Sequence, residues 1–179
     1  MLTKANTGLI ITDIQGKLAR IVHDSEALIA NCEKLIKGAQ ALGLPIVWLE
    51  QNPEKLGATV TQLSALLTTH TAITKFTFNA GAAPQFIDKI NQANVTHWLI
   101  CGIEAHICVY QTASQLQLLG QQVHLVSDCV SSRTLANKKL AINKLANQGV
   151  EITGLEMCLY ELVHDCRAAE FKEVLRLIK

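Results

Sequence analysis

The chain has 179 residues, 49% of them hydrophobic and 17% charged, with 16 Lys and Arg against 15 Asp and Glu for a formal net charge of +1. That length suits a single domain over residues 1–179 with one sizeable core, and the apolar content excludes a disordered chain. The balanced charge, with no basic run to track a phosphate backbone, argues against nucleic acid as a partner; the short apolar stretch in "MLTKANTGLIITD" argues against an export signal or a membrane span. A cytoplasmic protein is the expectation.

In chain order, "GLIITDI" (8–14) predicts a first strand. Ser25 to Leu42 then sets Leu28, Ile29, Cys32, Leu35, Ile36 and Ala39 on one face and runs into Gly43 and Pro45, an amphipathic helix with its stop signals. "PIVWLE" (45–50) predicts a second strand, "TAITKF" (71–76) a shorter one, and Pro84 to Gln92 a helix. "THWLICGI" (96–103) is the next strand, followed by a helix from Ala105 to Leu119 that closes at Gly120. "QVHLVSD" (122–128), a helix from Leu135 to Asn147, "GVEITG" (149–154) and an amphipathic helix from Ala168 to Ile178 complete the pattern. Continuous apolar strands alternating with helices indicate an α/β fold: a three-layer αβα sandwich, Rossmann-like, with a doubly wound, mainly parallel sheet of about six strands. No GxGxxG or GxxxxGK loop follows a strand, and no cofactor is expected.

Ligands in such folds bind beyond the carboxyl ends of the strands, so strand ends are the places to search. Asp13 ends the first strand, Glu50 the second, Lys75 the third, Gly102 to Cys108 follow the fourth and Asp128 ends the fifth. Asp13 has apolar neighbours that would raise its pKa unless a cation compensates, which suits a general acid or base; a cap or loop acid is the alternative. Lys75, among Ile73, Phe76 and Phe78, needs a carboxylate partner or else snorkels to the surface. Cys108 falls in the first turn of the 105–119 helix, where the dipole and free N–H groups would lower a thiol pKa and bind an oxyanion; a buried structural thiol is the alternative. Together the acid, lysine and thiol form a coherent base, cation and nucleophile set.

Other polar residues are less defined. The remaining cysteines, at 32, 101, 129, 158 and 166, form no CxxC pair, and without an export signal most are expected to be buried free thiols. Gln15 either faces the pocket as a substrate contact or caps a turn, and His106, about 200° around a helix from Cys108, is expected at a rim or interface. Trp48 and Trp98 are expected as core or interface anchors. Pocket shape depends on loops 14–24, 51–60 and 76–84, whose paths do not follow from the sequence.

The stretches "LIITDIQ" (9–15), "ITKFTFNAG" (73–81) and "ICGIEAHICVYQTA" (100–113), with "GQQVHLVSDCVSSRT" (120–134) and "GVEITGLEMCLYEL" (149–162), resemble the isochorismatase-like cysteine hydrolases over nearly the whole chain. "WLEQNPEKLGATV" and "AAEFKEVLRLIK" are most similar to the isochorismatase domain-containing subgroup. The resemblance implies the isochorismatase-like hydrolase fold and a catalytic triad in which Cys108 attacks, Asp13 takes its proton and Lys75 holds the carboxylate and developing charge. It also implies a non-proline cis peptide joining Ile103 to Glu104, an oxyanion hole from the N–H groups of Glu104 and Cys108, and homo-oligomers, dimers or larger. The implied reaction is hydrolysis of a small amide-like C–N bond through a thioester-type acyl-enzyme.

Nicotinamidases of the family carry an Asp-x-His metal motif after the second strand, whereas this chain has "LEQNPEKLG" there and no histidine between that stretch and His70. No metal is therefore expected, and nicotinamide is a poor candidate substrate. Two alternatives stay open: vinyl ether hydrolysis with Asp13 as the acid and no thiol nucleophile, and a catalytically idle oligomeric binding protein.

Overall fold

The central strands read as unbroken apolar runs because helices cover both of their faces. In the structure, a computed structural model that describes residues 1–179, six strands form one sheet: β1 Thr7–Thr12, β2 Ile46–Gln51, β3 Ile73–Lys75, β4 His97–Gly102, β5 Gln122–Val130 and β6 Glu151–Thr153. All pairings are parallel, in the order β3-β2-β1-β4-β5-β6. Nine α-helices connect and flank them: α1 Leu18–Ile21, α2 Ser25–Ala41, α3 Pro53–Leu56, α4 Thr61–Ser64, α5 Pro84–Gln92, α6 Tyr110–Leu118, α7 Leu135–Asn147, α8 Leu155–Val163 and α9 Phe171–Ile178.

The pleat divides the core in two. Leu9, Ile11, Leu99 and Cys101 point to one side, where α2, α8 and α9 add Leu35, Leu159 and Val174 to a cluster of 28 buried residues. Ile10, Trp98 and Ile100 point to the other, where α5, α6 and α7 add Phe86, Leu116 and Leu145 to a cluster of 19. The expected three-layer sandwich is the one observed. No helix is long and apolar enough to cross a membrane.

Three elements differ from expectation. The helix anticipated from Ala105 to Leu119 is divided: residues Ala105–Val109 form a π-helical turn and α6 begins only at Tyr110. Helix α8 is an element beyond those predicted, although Leu155, Cys158, Leu159 and Leu162 carry helical spacing and are all buried. Strand β5 continues past Asp128 to Val130, after a register shift opposite Ile100 and Gly102. Asp128 therefore lies inside the strand, and its Oδ1 accepts the Leu155 N–H at 2.8 Å, holding the start of α8.

The chain builds outward from β1 to β2 and β3, then crosses back to place β4 on the other side of β1. This reversal opens a crevice at the carboxyl ends of β1 and β4. Close approach there requires Gly102, whose φ is +121° and whose position would put a Cβ 2.0 Å from the Thr12 carbonyl oxygen.

Candidate active site

Asp13 leaves β1 in a left-handed conformation, φ +53°, with 3% of its surface exposed. Its Oδ2 accepts a hydrogen bond from Lys75 Nζ at 2.7 Å. Lys75, the last residue of β3, is 1% exposed. Because β2 intervenes between β3 and β1, the lysine reaches Asp13 across a strand, and Gln51 on β2 accepts a second bond from Nζ at 2.7 Å through Oε1. The Gln51 amide nitrogen in turn donates to the Phe76 carbonyl at 2.8 Å.

The apolar pattern predicts a second strand ending at Glu50, one residue early, and so does not point to Gln51. Successive strand residues face opposite ways, so the two side chains part. Glu50 Oε1 accepts from both the N–H and the hydroxyl of Thr59, each at 2.7 Å, and Gln51 goes to Lys75. A strand extended by one residue would have exposed Gln51 as a candidate.

Burial raises the pKa of the Asp13 carboxyl, and the Lys75 ammonium opposes that rise without cancelling it. Asp13 Oδ1 is buried without a hydrogen-bond partner. A desolvated carboxylate oxygen lacking a donor is a strong proton acceptor.

Cys108 sits in the π-helical turn, 7% exposed. Its thiol is pushed up to about 12, chiefly by burial and next by the Asp13 charge, with Lys75 in partial opposition. This reverses the lowered pKa expected at a helix start: desolvation and a neighbouring carboxylate outweigh any favourable field from the turn. The resting site thus holds a neutral thiol beside Asp13.

Asp13, Gln51, Glu104 and Cys108 line a cavity of about 80 Å³. Its apolar wall comes from Leu18, Leu56 and Phe78, one from each of the three loops 14–24, 51–60 and 76–84, with Ile107 beside the thiol. The Ile103–Glu104 peptide is cis. The Glu104 N–H donates to no protein acceptor, while Glu104 Oε1 accepts from the Arg133 N–H at 3.0 Å and Nε at 3.1 Å.

Gln15 does not reach the cavity. Its side chain is fully buried, its amide nitrogen donates to the carbonyls of Gln51 at 3.1 Å and Gly57 at 2.6 Å, and its Oε1 accepts the Gln51 N–H at 2.7 Å. It pins the 51–57 loop to the end of β1 and has no polar atom left for a substrate. His106 is half-buried with Nδ1 2.9 Å from Ser132 Oγ. Trp98 is fully buried in the core, and half-buried Trp48 donates to Thr59 Oγ1 at 2.8 Å. Cys32, Cys101, Cys129 and Cys158 are buried away from the cavity; the contact with Cys32 and burial raise the thiol pKa of Cys101, against an opposing contact with Cys101 that of Cys32 rises through Cys129 and burial, and burial raises Cys129 and Cys158; Cys166 is exposed, and all six cysteines are free.

The isochorismatase domain model matches residues 7–157, a span that holds Asp13, Lys75 and Cys108. Isochorismatase domain-containing protein 2 of Danio rerio is 31% identical over 171 residues, 95% of this chain and 85% of that protein. Isochorismatase domain-containing protein 1 of Salmo salar is 31% identical over 181 residues; the match takes in 99% of this chain but 62% of the longer relative. Among solved structures, the MAR1 ribonuclease of Caenorhabditis elegans superposes with a TM-score of 0.94 at 32% identity, covering 99% of this chain and 91% of that one. With the domain matched over most of its length and relatives above 30% identity across nearly all of it, the chain belongs to the isochorismatase family and is a hydrolase.

Proposed function

We propose that the chain is a cysteine hydrolase that cleaves a small amide-like C–N bond through an acyl-enzyme on Cys108. The observation that carries this reading is the division of labour within one carboxylate: Lys75 holds Asp13 Oδ2, and Oδ1 is left buried and without a donor beside the thiol cavity. In the resting state burial and the Asp13 charge keep the proton on the thiol. Transfer to Oδ1 therefore accompanies attack, as the new C–S bond removes charge from sulfur.

Carbonyl electrons move onto oxygen as Sγ adds, and the N–H groups of Glu104 and Cys108 receive that charge. Collapse breaks the C–N bond, and the amine leaves with the proton held by Asp13. Water, deprotonated by the same carboxylate, then cleaves the thioester and frees Cys108. Lys75 orients Asp13 and offsets its charge throughout. The scheme needs no metal, since Lys75 supplies the positive charge and Glu50 is committed to Thr59.

The cavity's size and apolar wall favour a compact carbonyl substrate. No cation lines the cavity, and Lys75 behind Asp13 is already paired, which gives a polyanion such as RNA little to hold, despite the name of the C. elegans relative. We also propose self-association, because Leu118 on α6 and Leu135 and Leu140 on α7 present exposed apolar side chains; light scattering tests it.

Activity of Cys108→Ala and Asp13→Asn against a panel of small amides and esters tests the chemistry. Loss of turnover in both variants is the expected result. Turnover surviving Cys108→Ala but lost in Asp13→Asn would replace the proposal with vinyl ether-type acid catalysis, and no Cys108-dependent turnover of any substrate would favour an idle binding protein.

A further inference from the structure

We propose that Glu104 and Arg133 are positioning residues for the carbonyl-attack step, an inference that rests on the acyl-enzyme chemistry above. The segment after β5 clamps the turn that carries Cys108. The Ser131 N–H donates to the Gly102 carbonyl at 3.3 Å, the Ala105 N–H donates to the Ser131 carbonyl at 2.7 Å, and Ser132 Oγ meets His106 Nδ1 at 2.9 Å. The clamp closes on a charged contact, with Glu104 Oε1 accepting from both the main-chain N–H and the Nε of Arg133. The Glu104 side chain is 7% exposed in this pair and that of Arg133 57%, so a buried carboxylate is held by a cation reaching in from solvent.

What the clamp holds is one free donor. The Ile103 N–H is taken by the Thr12 carbonyl at 2.9 Å and the Ala105 N–H by Ser131, but the Glu104 N–H between them has no acceptor. A main-chain N–H without a partner is rare on a residue only 6% exposed. Glu104 lines the cavity with Cys108, so its orphan N–H is available to an oxygen that gains charge there. A pinned side chain on the same residue limits how far that peptide can rotate away from the developing oxyanion. The pairing therefore acts on the transition state through geometry, without touching the reacting atoms.

Two probes that use the same thiol separate positioning from folding. With p-nitrophenyl acetate, Sγ adds to the carbonyl, its proton passes to Asp13, and p-nitrophenolate departs with the C–O electron pair to leave a thioester; an oxyanion forms on the way. Iodoacetamide alkylates Sγ by displacing iodide, and no oxyanion forms. For Glu104→Ala, the first-turnover release of p-nitrophenolate is expected to fall by about 10- to 100-fold while Cys108 alkylation stays within about twofold of the parent protein. Arg133→Ala, which keeps the main-chain N–H, should show a smaller loss of the same kind, and Glu104→Gln, whose amide oxygen still accepts that N–H, should recover most of the acylation rate.

Equal losses with both probes, or unchanged acylation in Glu104→Ala, would overturn the inference. If Cys108 in the parent protein is alkylated but never acylated, the acyl-enzyme reading falls and the positioning role with it; that outcome shows itself before any substitution at 104 or 133.

Discussion

Lys75 Nζ lies 2.7 Å from Asp13 Oδ2 with both side chains almost wholly buried, although β2 separates the strands that lead to them. A buried pair of this kind is costly to break from one side, since removing the carboxylate strands a desolvated ammonium with Gln51 and the Thr77 carbonyl as its remaining acceptors. Asp13→Ala should therefore destabilise the fold by about 3–5 kcal/mol in urea unfolding. Lys75→Met should cost less, because Asp13 can take up a proton and become neutral, and the double variant should be more stable than Asp13→Ala alone. Additive losses would show that the two side chains are not energetically coupled.

The raised Asp13 pKa sets the acid limb of activity. The proposed base works only when ionised, so turnover falls as pH drops through the folded-state pKa, at a higher pH than an ordinary carboxylate would give. A kcat/KM profile whose acid limb lies in the ordinary carboxylate range would contradict this.

Cys108 and Asp13 should respond in opposite directions to one substitution. Asp13→Asn removes a charge that raises the thiol pKa, so alkylation of Cys108 by iodoacetamide at alkaline pH should speed up even as ester turnover is lost. In the parent protein, peptide mapping near neutral pH should find exposed Cys166 labelled before Cys108, with the core cysteines slowest. Slower alkylation of Cys108 in Asp13→Asn at alkaline pH would mean that the carboxylate does not hold the thiol pKa up.

Phe78 is 55% exposed yet walls a cavity of about 80 Å³. Phe78→Ala should shift preference along a series of p-nitrophenyl esters from acetate toward longer acyl chains, with little change in thermal stability. An unchanged preference would place the size limit elsewhere, with Leu18 and Leu56 the next residues to truncate.

Much of this arrangement is legible in the sequence, for identifiable reasons. Strands such as Leu9–Ile11 and Leu99–Cys101 are covered on both faces and so leave unbroken apolar runs. A lysine set among Ile73, Phe76 and Phe78 needs a counter-charge, and Asp13 supplies it. Gln51, Gln15 and the Glu104–Arg133 contact are not legible, because each depends on which way a side chain turns from a strand end or loop whose path is decided by tertiary packing. The sign of the Cys108 shift escapes for a related reason: a turn's favourable field competes with burial and a nearby carboxylate, and only the packed structure weighs them.

Covalent attack by Cys108 with Asp13 as the proton acceptor is the step on which the proposed activity rests. Its most direct measurement is rapid-quench mass mapping of the protein after mixing with p-nitrophenyl acetate. An acetyl group on Cys108 is expected to form and decay during turnover and to fail to form in Asp13→Asn. Turnover without any adduct on Cys108, or with an adduct that forms equally well in Asp13→Asn, would contradict it.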